Sequence, residues 1–187
     1  MRPIPALLAA SLLAFASPVV ADEIEDTLEA ALEAYRAGDI ALAKEEIDFA
    51  AQLIAQQKAD GLAAFLPKPL PGWTMEEGDT NAQTAAMFGG GLTASADYSN
   101  GSETVSITMM AENQMVATMG AMFANPAMMG AMGRVKRIGR QRVVLTDQGE
   151  LNAFVDNRVL IQMSGSAPAE TLEAFFEAID IDALKAF

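Results

Sequence analysis

Residues 91–110 read GLTASADYSNGSETVSITMM, and the fold turns on how they pair. Leu92, Ala94, Ala96 and Tyr98 alternate with other residues up to Asn100-Gly101, and Val105, Ile107 and Met109 resume the alternation beyond it. A period of two puts such residues on one face of a strand. Asn-Gly between two alternating runs supplies the residues that a tight connection needs. The stretch therefore predicts an antiparallel hairpin with one apolar face, to which the flanking segments must add strands or covering helices.

Toward the C-terminus the pattern predicts an apolar helix near residues 112–124 and then strands over Arg134–Ile138, Arg142–Asp147, Glu150–Asp156 and Arg158–Ser164. Asp147-Gln148-Gly149 and Asp156-Asn157 carry tight-turn chemistry. Pro168 to Ile179 reads as a closing helix with Leu172, Phe175, Phe176 and Ile179 on one face. The fold class expected for residues 73–187 is α+β: an antiparallel sheet of about six to seven strands with two covering helices on one side.

Toward the N-terminus, Leu66-Pro67-Lys68-Pro69-Leu70-Pro71-Gly72 cannot continue a helix and reads as a stiff linker, 66–72. Before it, 22–65 reads as an acidic helical hairpin. Ile24, Leu28, Ala31, Leu32 and Tyr35 recur at helical spacing, Gly38-Asp39 stops one helix and caps the next, and Ile40, Ala43, Ile47, Ala50 and Ile54 continue. Residues 1–21 combine Arg2, an apolar run from Ala6 to Ala16 and the small residues Val19 and Ala21, the pattern of a secretory signal peptide. The expected location is the periplasm, with the mature chain starting at Asp22 and no stable membrane span.

The 187 residues include no histidine and no cysteine, which excludes zinc sites of the usual ligands, Ser-His-Asp triads, thiol nucleophiles and disulfides. Lys and Arg number 12 against 25 Asp and Glu, a net charge of −13 that repels nucleic acid and anionic lipid. The charge is uneven: 11 acids and 3 bases lie between Asp22 and Asp60, while Arg134, Lys136, Arg137, Arg140 and Arg142 form a basic stripe without an acid among them. Glu45-Glu46, Glu76-Glu77 and Asp180 with Asp182 lack the contrast of one desolvated and one solvated carboxyl that acid–base catalysis needs. Gly89-Gly90-Gly91 precedes neither Lys-Ser/Thr nor a helix, unlike a phosphate loop. The expectation is a protein that is not an enzyme.

The most unusual segment holds 8 methionines in the 24 positions from Met109 to Met132, and Asn113–Gly133 has no charged residue. Asn125-Pro126 and several glycines break it near its middle, so it does not read as a membrane span. Flexible thioether side chains suit three uses: filling a core, forming an adaptable contact surface, or ligating Cu(I). As a contact surface the candidates are Met115, Met119, Met122, Met128, Met129 and Met132, with Arg134, Lys136, Arg137 and Arg140 beside them. As a Cu(I) site they are Met115, Met119, Met122, Met129 and Met132, and no other cofactor is expected. An enclosed Met-lined pocket would instead indicate a lipid or amphiphile carrier. The stripe itself has a plainer reading as a solvated strand pair.

Two resemblances follow from these residues. AYRAGDIALAKEEIDFAAQLI is similar to a single tetratricopeptide-type hairpin, which alone cannot bury both of its faces; it must pack on its own chain, pair with a second copy or offer a face to a partner. LPKPLPGWT, the 91–110 hairpin and NRVLIQMSGSAPAETLEAFFEAIDIDAL together resemble the PsbP/Mog1-type α+β domain of exported bacterial proteins over residues 70–187. That resemblance implies a scaffold or binding domain with a protein partner, and the fold alone leaves the ligand open.

Overall fold

The computed structural model describes residues 19–78, 91–123 and 125–187. Most of the expected signal segment, and Gly89-Gly90 of the glycine run, lie outside the described residues. The chain divides into two compact units, 1–50 and 51–187.

In the first unit, α1 spans Val19–Arg36 and α2 begins at Ile40, continuing to Ala63. Gly38 takes a positive φ of 82° between them, and Asp39 accepts a hydrogen bond from the Leu42 amide at 3.0 Å as the cap of α2. The residues buried here are small. Thr27, Ala31 and Ala34 of α1 and Ala43 and Ala50 of α2 form the buried seam, whereas Leu28, Leu32, Tyr35, Ile40 and Ile47 are exposed. The apolar stripe read from the sequence is therefore split. Its alanines go inside and its large members stay outside.

The division falls inside α2, earlier than the boundary at residues 65–66 that the proline run suggests. The second half of α2 belongs to the second unit for a physical reason. Leu62 is fully buried in that unit's core, Ala59 is buried, and the Lys58 ammonium meets both oxygens of Glu112 at 2.5 and 2.6 Å. Nor do residues 66–72 act as a free spacer. Leu66 and Pro67 are buried, and Pro67 offers its carbonyl to the Tyr98 hydroxyl at 2.6 Å. Trp73 sets its ring edge-on to Phe175 with centroids 5.1 Å apart.

The sheet has seven antiparallel strands: β1 Thr74–Glu77, β2 Leu92–Ser99, β3 Thr104–Ala111, β4 Arg134–Ile138, β5 Gln141–Leu145, β6 Leu151–Val155 and β7 Val159–Gly165, in the order β1-β2-β3-β7-β6-β5-β4. The 91–110 hairpin forms as expected, with Ala94 opposite Met109, Ala96 opposite Ile107 and Tyr98 opposite Val105, all buried. Its connection runs over Asn100–Glu103, where the Asn100 side chain accepts from the Ser102 and Glu103 amides and Gly101 takes φ 89°. Asp156 and Asn157 both take positive φ, 51° and 53°, in the turn between β6 and β7.

Four helices follow the first hairpin strands among the described residues: α3 Gln114–Phe123, α4 Pro126–Met132, α5 Ala169–Glu177 and α6 Ile181–Ala186. The two expected helices form, as α3 and α5, but on opposite faces of the sheet and not on one side, with α4 and α6 beside them. Leu172, Phe175 and Phe176 of α5 and Leu184 of α6 join the main core with Tyr98, Ile107, Leu151 and Ile161. On the opposite face α3 and α4 enclose a second cluster, Met110, Val116, Phe123, Met129, Val144, Phe154 and Leu160. Double coverage explains why β6 is buried at all five positions and shows no alternation to read.

Burial pushes the Tyr98 hydroxyl up to about 12, with the Glu77 carboxylate adding to the effect. The unfolded chain releases this proton near pH 10 and the folded protein holds it, so stability falls with rising pH between 10 and about 12. Replacing Tyr98 by Phe leaves the Pro67 carbonyl without its donor and should cost about 1–2 kcal/mol at neutral pH. In urea titrations, the gap between wild type and Tyr98→Phe should narrow from pH 10 to about 12; a gap constant with pH would contradict the buried, neutral hydroxyl.

Candidate functional site

The Met-rich segment begins where β3 leaves the sheet. Glu112 adopts a positive φ of 53°, unusual for a residue with a side chain, and Lys58 grips its carboxylate. Asn113 then caps α3, accepting from the Val116 amide at 3.1 Å. Asn125 caps α4 in the same way, accepting from the Ala127 amide at 3.0 Å with Pro126 in the first turn. The Asn-Pro pair that breaks the apolar run is thus a helix start. Gly133 closes the segment at φ 155°, where a Cβ would collide with the Leu145 carbonyl, and β4 follows immediately.

The methionines do not form one surface. Met109 and Met110 are neighbours on β3 and so enter opposite faces, Met109 the main core and Met110 the second cluster. Met129 is buried in the second cluster, and Met119 and Met132 are half-buried against it. Met128 is 45% exposed. The side chains of Met115 and Met122 lie outside the described residues.

The basic stripe also divides. Arg134 and Lys136 share the strand face of Ile138, toward α5, and Lys136 pairs with Glu173 at 2.5 Å. Val135 and Arg137 lie on the opposite face, toward α4, where Arg137 stands directly across from Arg142 and Val135 across from Val144. Arg140 sits in the turn between β4 and β5 beside Asp182. Because β4 ends the sheet among the described residues, one row of its backbone amides and carbonyls has no strand partner among them, and its first four residues are exposed. Val135, 42% exposed, joins Met128 as the exposed large apolar side chains beyond α2 among the described residues.

Open clefts accompany the sheet among the described residues, three of them described by their linings. One of about 350 Å³ lies between Glu112–Ala117, the Asn157–Val159 turn and Phe187; another of about 400 Å³ lies between the β4–β5 turn and α6; the third, about 340 Å³, lies between Asp60 and Glu77. None of the three has a methionine in its lining, as an amphiphile carrier built on these side chains would need. In the second cleft, Asp180 spends its carboxylate on the Ala183 amide at 2.9 Å as the cap of α6. The Lys185 ammonium, hydrogen-bonded at 2.7 Å, holds the exposed Asp182 below its usual carboxylate range, with Arg140 assisting.

Val135 and the open edge of β4 are not among the residues that the sequence singled out. RVKRI alternates as a strand should, yet nothing in five residues says that the strand is last in its sheet. In comparison with known proteins, no family model matches the chain, and no curated protein and no solved structure matches it.

Dilute hydrogen peroxide should oxidise Met128 at least tenfold faster than Met129, Met109 or Met110, since access of oxidant to sulfur controls the reaction. Peptide mass mapping over a time course reads this directly. Equal rates at Met128 and Met129 would mean that α4 does not hold its place on the sheet.

Proposed function

We propose that the protein is an exported, periplasmic, non-enzymatic binding or adaptor protein that recognises a protein partner where the Met-rich α4 meets the basic edge strand β4. One observation carries the reading. Met128 and Val135 remain exposed next to an unpaired strand edge bearing Arg134 and Arg137, with Arg142 opposite. An apolar contact rimmed by guanidinium groups suits a partner with acidic residues around an apolar anchor. The edge additionally offers main-chain hydrogen bonds to an extended segment of that partner. Asp180 and Asp182, occupied by a helix cap and by Lys185, support a role outside acid–base catalysis. The resemblance of residues 70–187 to PsbP/Mog1-type domains points the same way.

The test is capture of periplasmic proteins on the immobilised protein and on Val135→Glu with Arg137→Glu. Both positions are exposed, and Glu opposite Arg142 makes a favourable cross-strand pair, so the variant should keep its stability within about 0.5 kcal/mol. Loss of a captured partner is expected; undiminished capture by the folded variant would overturn the assignment of the surface.

A second reading, Cu(I) binding by thioethers, is favoured by one observation: Met110, Met119, Met129 and Met132 belong to the same small cluster. Leu in place of Met119 and Met132 keeps the packing and removes sulfur. In an anaerobic Cu(I) titration against a coloured chelator, binding by an adaptor should be weak and identical in both proteins. Tight stoichiometric binding lost in the Leu variant would replace the adaptor reading with a copper site.

A further inference from the structure

The outer surface of the N-terminal hairpin is a separate feature that the α4–β4 reading leaves unused. On α1, Leu28 and Leu32 are each 46% exposed and Tyr35 65%, while on α2 Ile40 is 61% and Ile47 55% exposed. Helix geometry relates them. At about 100° per residue, Leu28, Leu32 and Tyr35 form one stripe turned about a quarter-circle from the Thr27-Ala31-Ala34 seam. Ile40 and Ile47, seven residues apart, form a stripe turned about 60° in the same sense from Ala43 and Ala50. The tight connection at Ala37–Asp39 makes the two helices antiparallel, and the two stripes then fall on the same side of the hairpin. Leu42 and Phe49 fall on the other side.

We propose that this face pairs with the same face of a second copy, forming an isologous four-helix bundle. Two observations select a second copy as the occupant. The five side chains expose on the order of 500 Å² of apolar surface, a large part of the roughly 800 Å² per partner that a stable interface buries. The stripes themselves carry no charge, although the segment Asp22–Asp60 holds 11 acids against 3 bases, so the contact demands no oppositely charged partner. A twofold axis along the hairpin sets α1 of one copy over α2 of the other. A single tetratricopeptide-like unit also needs a neighbour to bury its second face, and a second copy supplies one.

Sedimentation velocity of the chain with residues 1–21 removed, at about 50 μM and two salt concentrations, tests this. A dimer is expected, unchanged or tightened at high salt because screening reduces repulsion between two acidic hairpins. Leu32→Glu with Ile47→Glu should weaken it at least hundredfold, with the circular dichroism of the monomer unchanged, because both side chains are exposed. A monomeric wild type would overturn the proposal, as would a dimer that the variant leaves intact. A monomer destabilised by the same two changes would place the face against its own chain, which also overturns it. Association that weakens steeply with salt would assign the contact to the basic stripe instead.

Discussion

The pairing of β3 with β7 is the constraint on which the second unit depends. These strands are far apart in sequence, yet they run side by side from Val105 opposite Gly165 to Ala111 opposite Val159. That junction joins the 91–110 hairpin to the meander of β4 through β7 in one sheet. Gly165 ends the pairing with φ 148° at a place where any Cβ would strike the Thr104 carbonyl, and Ser166 and Thr104 exchange hydrogen bonds just beyond it. Long-range pairing of this kind is entropically expensive to close. It is held by burial on both faces, with Ile107, Met109 and Ile161 against α5 and α6 and with Met110 and Leu160 beneath α3 and α4.

The second cluster gives the Met-rich segment its main physical meaning. A small apolar face beneath two short helices has an irregular outline, with Phe123 and Phe154 tilted together at 4.5 Å between centroids. Unbranched thioethers fill such gaps more easily than branched side chains. The same segment delivers the chain to the sheet edge, where packing ends and Met128 and Val135 remain uncovered. Core filling and surface presentation are therefore consecutive uses of one stretch, separated by single residues such as Met128 and Met129. Lys and Arg along β4 have a structural value as well, because charged side chains discourage strand edges from pairing indiscriminately.

The hairpin shows how identical periodicity can serve opposite ends. A stripe containing both alanine and large aliphatic residues predicts an amphipathic helix, and both helices form. Which members of the stripe touch the neighbouring helix depends on how closely the backbones approach. Here the alanines are buried, and the bulk of the hydrophobic surface is left facing out.

The sequence by itself determined the α+β class, most of the strands, the position of the central hairpin and the acid-rich helical pair. Each of these rests on local chemistry: alternation from Leu92 to Met109, turn residues at Asn100-Gly101 and Asp156-Asn157, and the cap at Asp39. Only the tertiary structure decided the strand order, the cover on the second face, the attachment of Leu62 and Pro67 to the sheet domain, and the division of the methionines between core and edge. Periodicity reports that a side chain avoids water, and it does so equally for Met129 and Met128. Whether another element arrives to cover that side chain is set by contacts with residues far along the chain, and no local pattern records them.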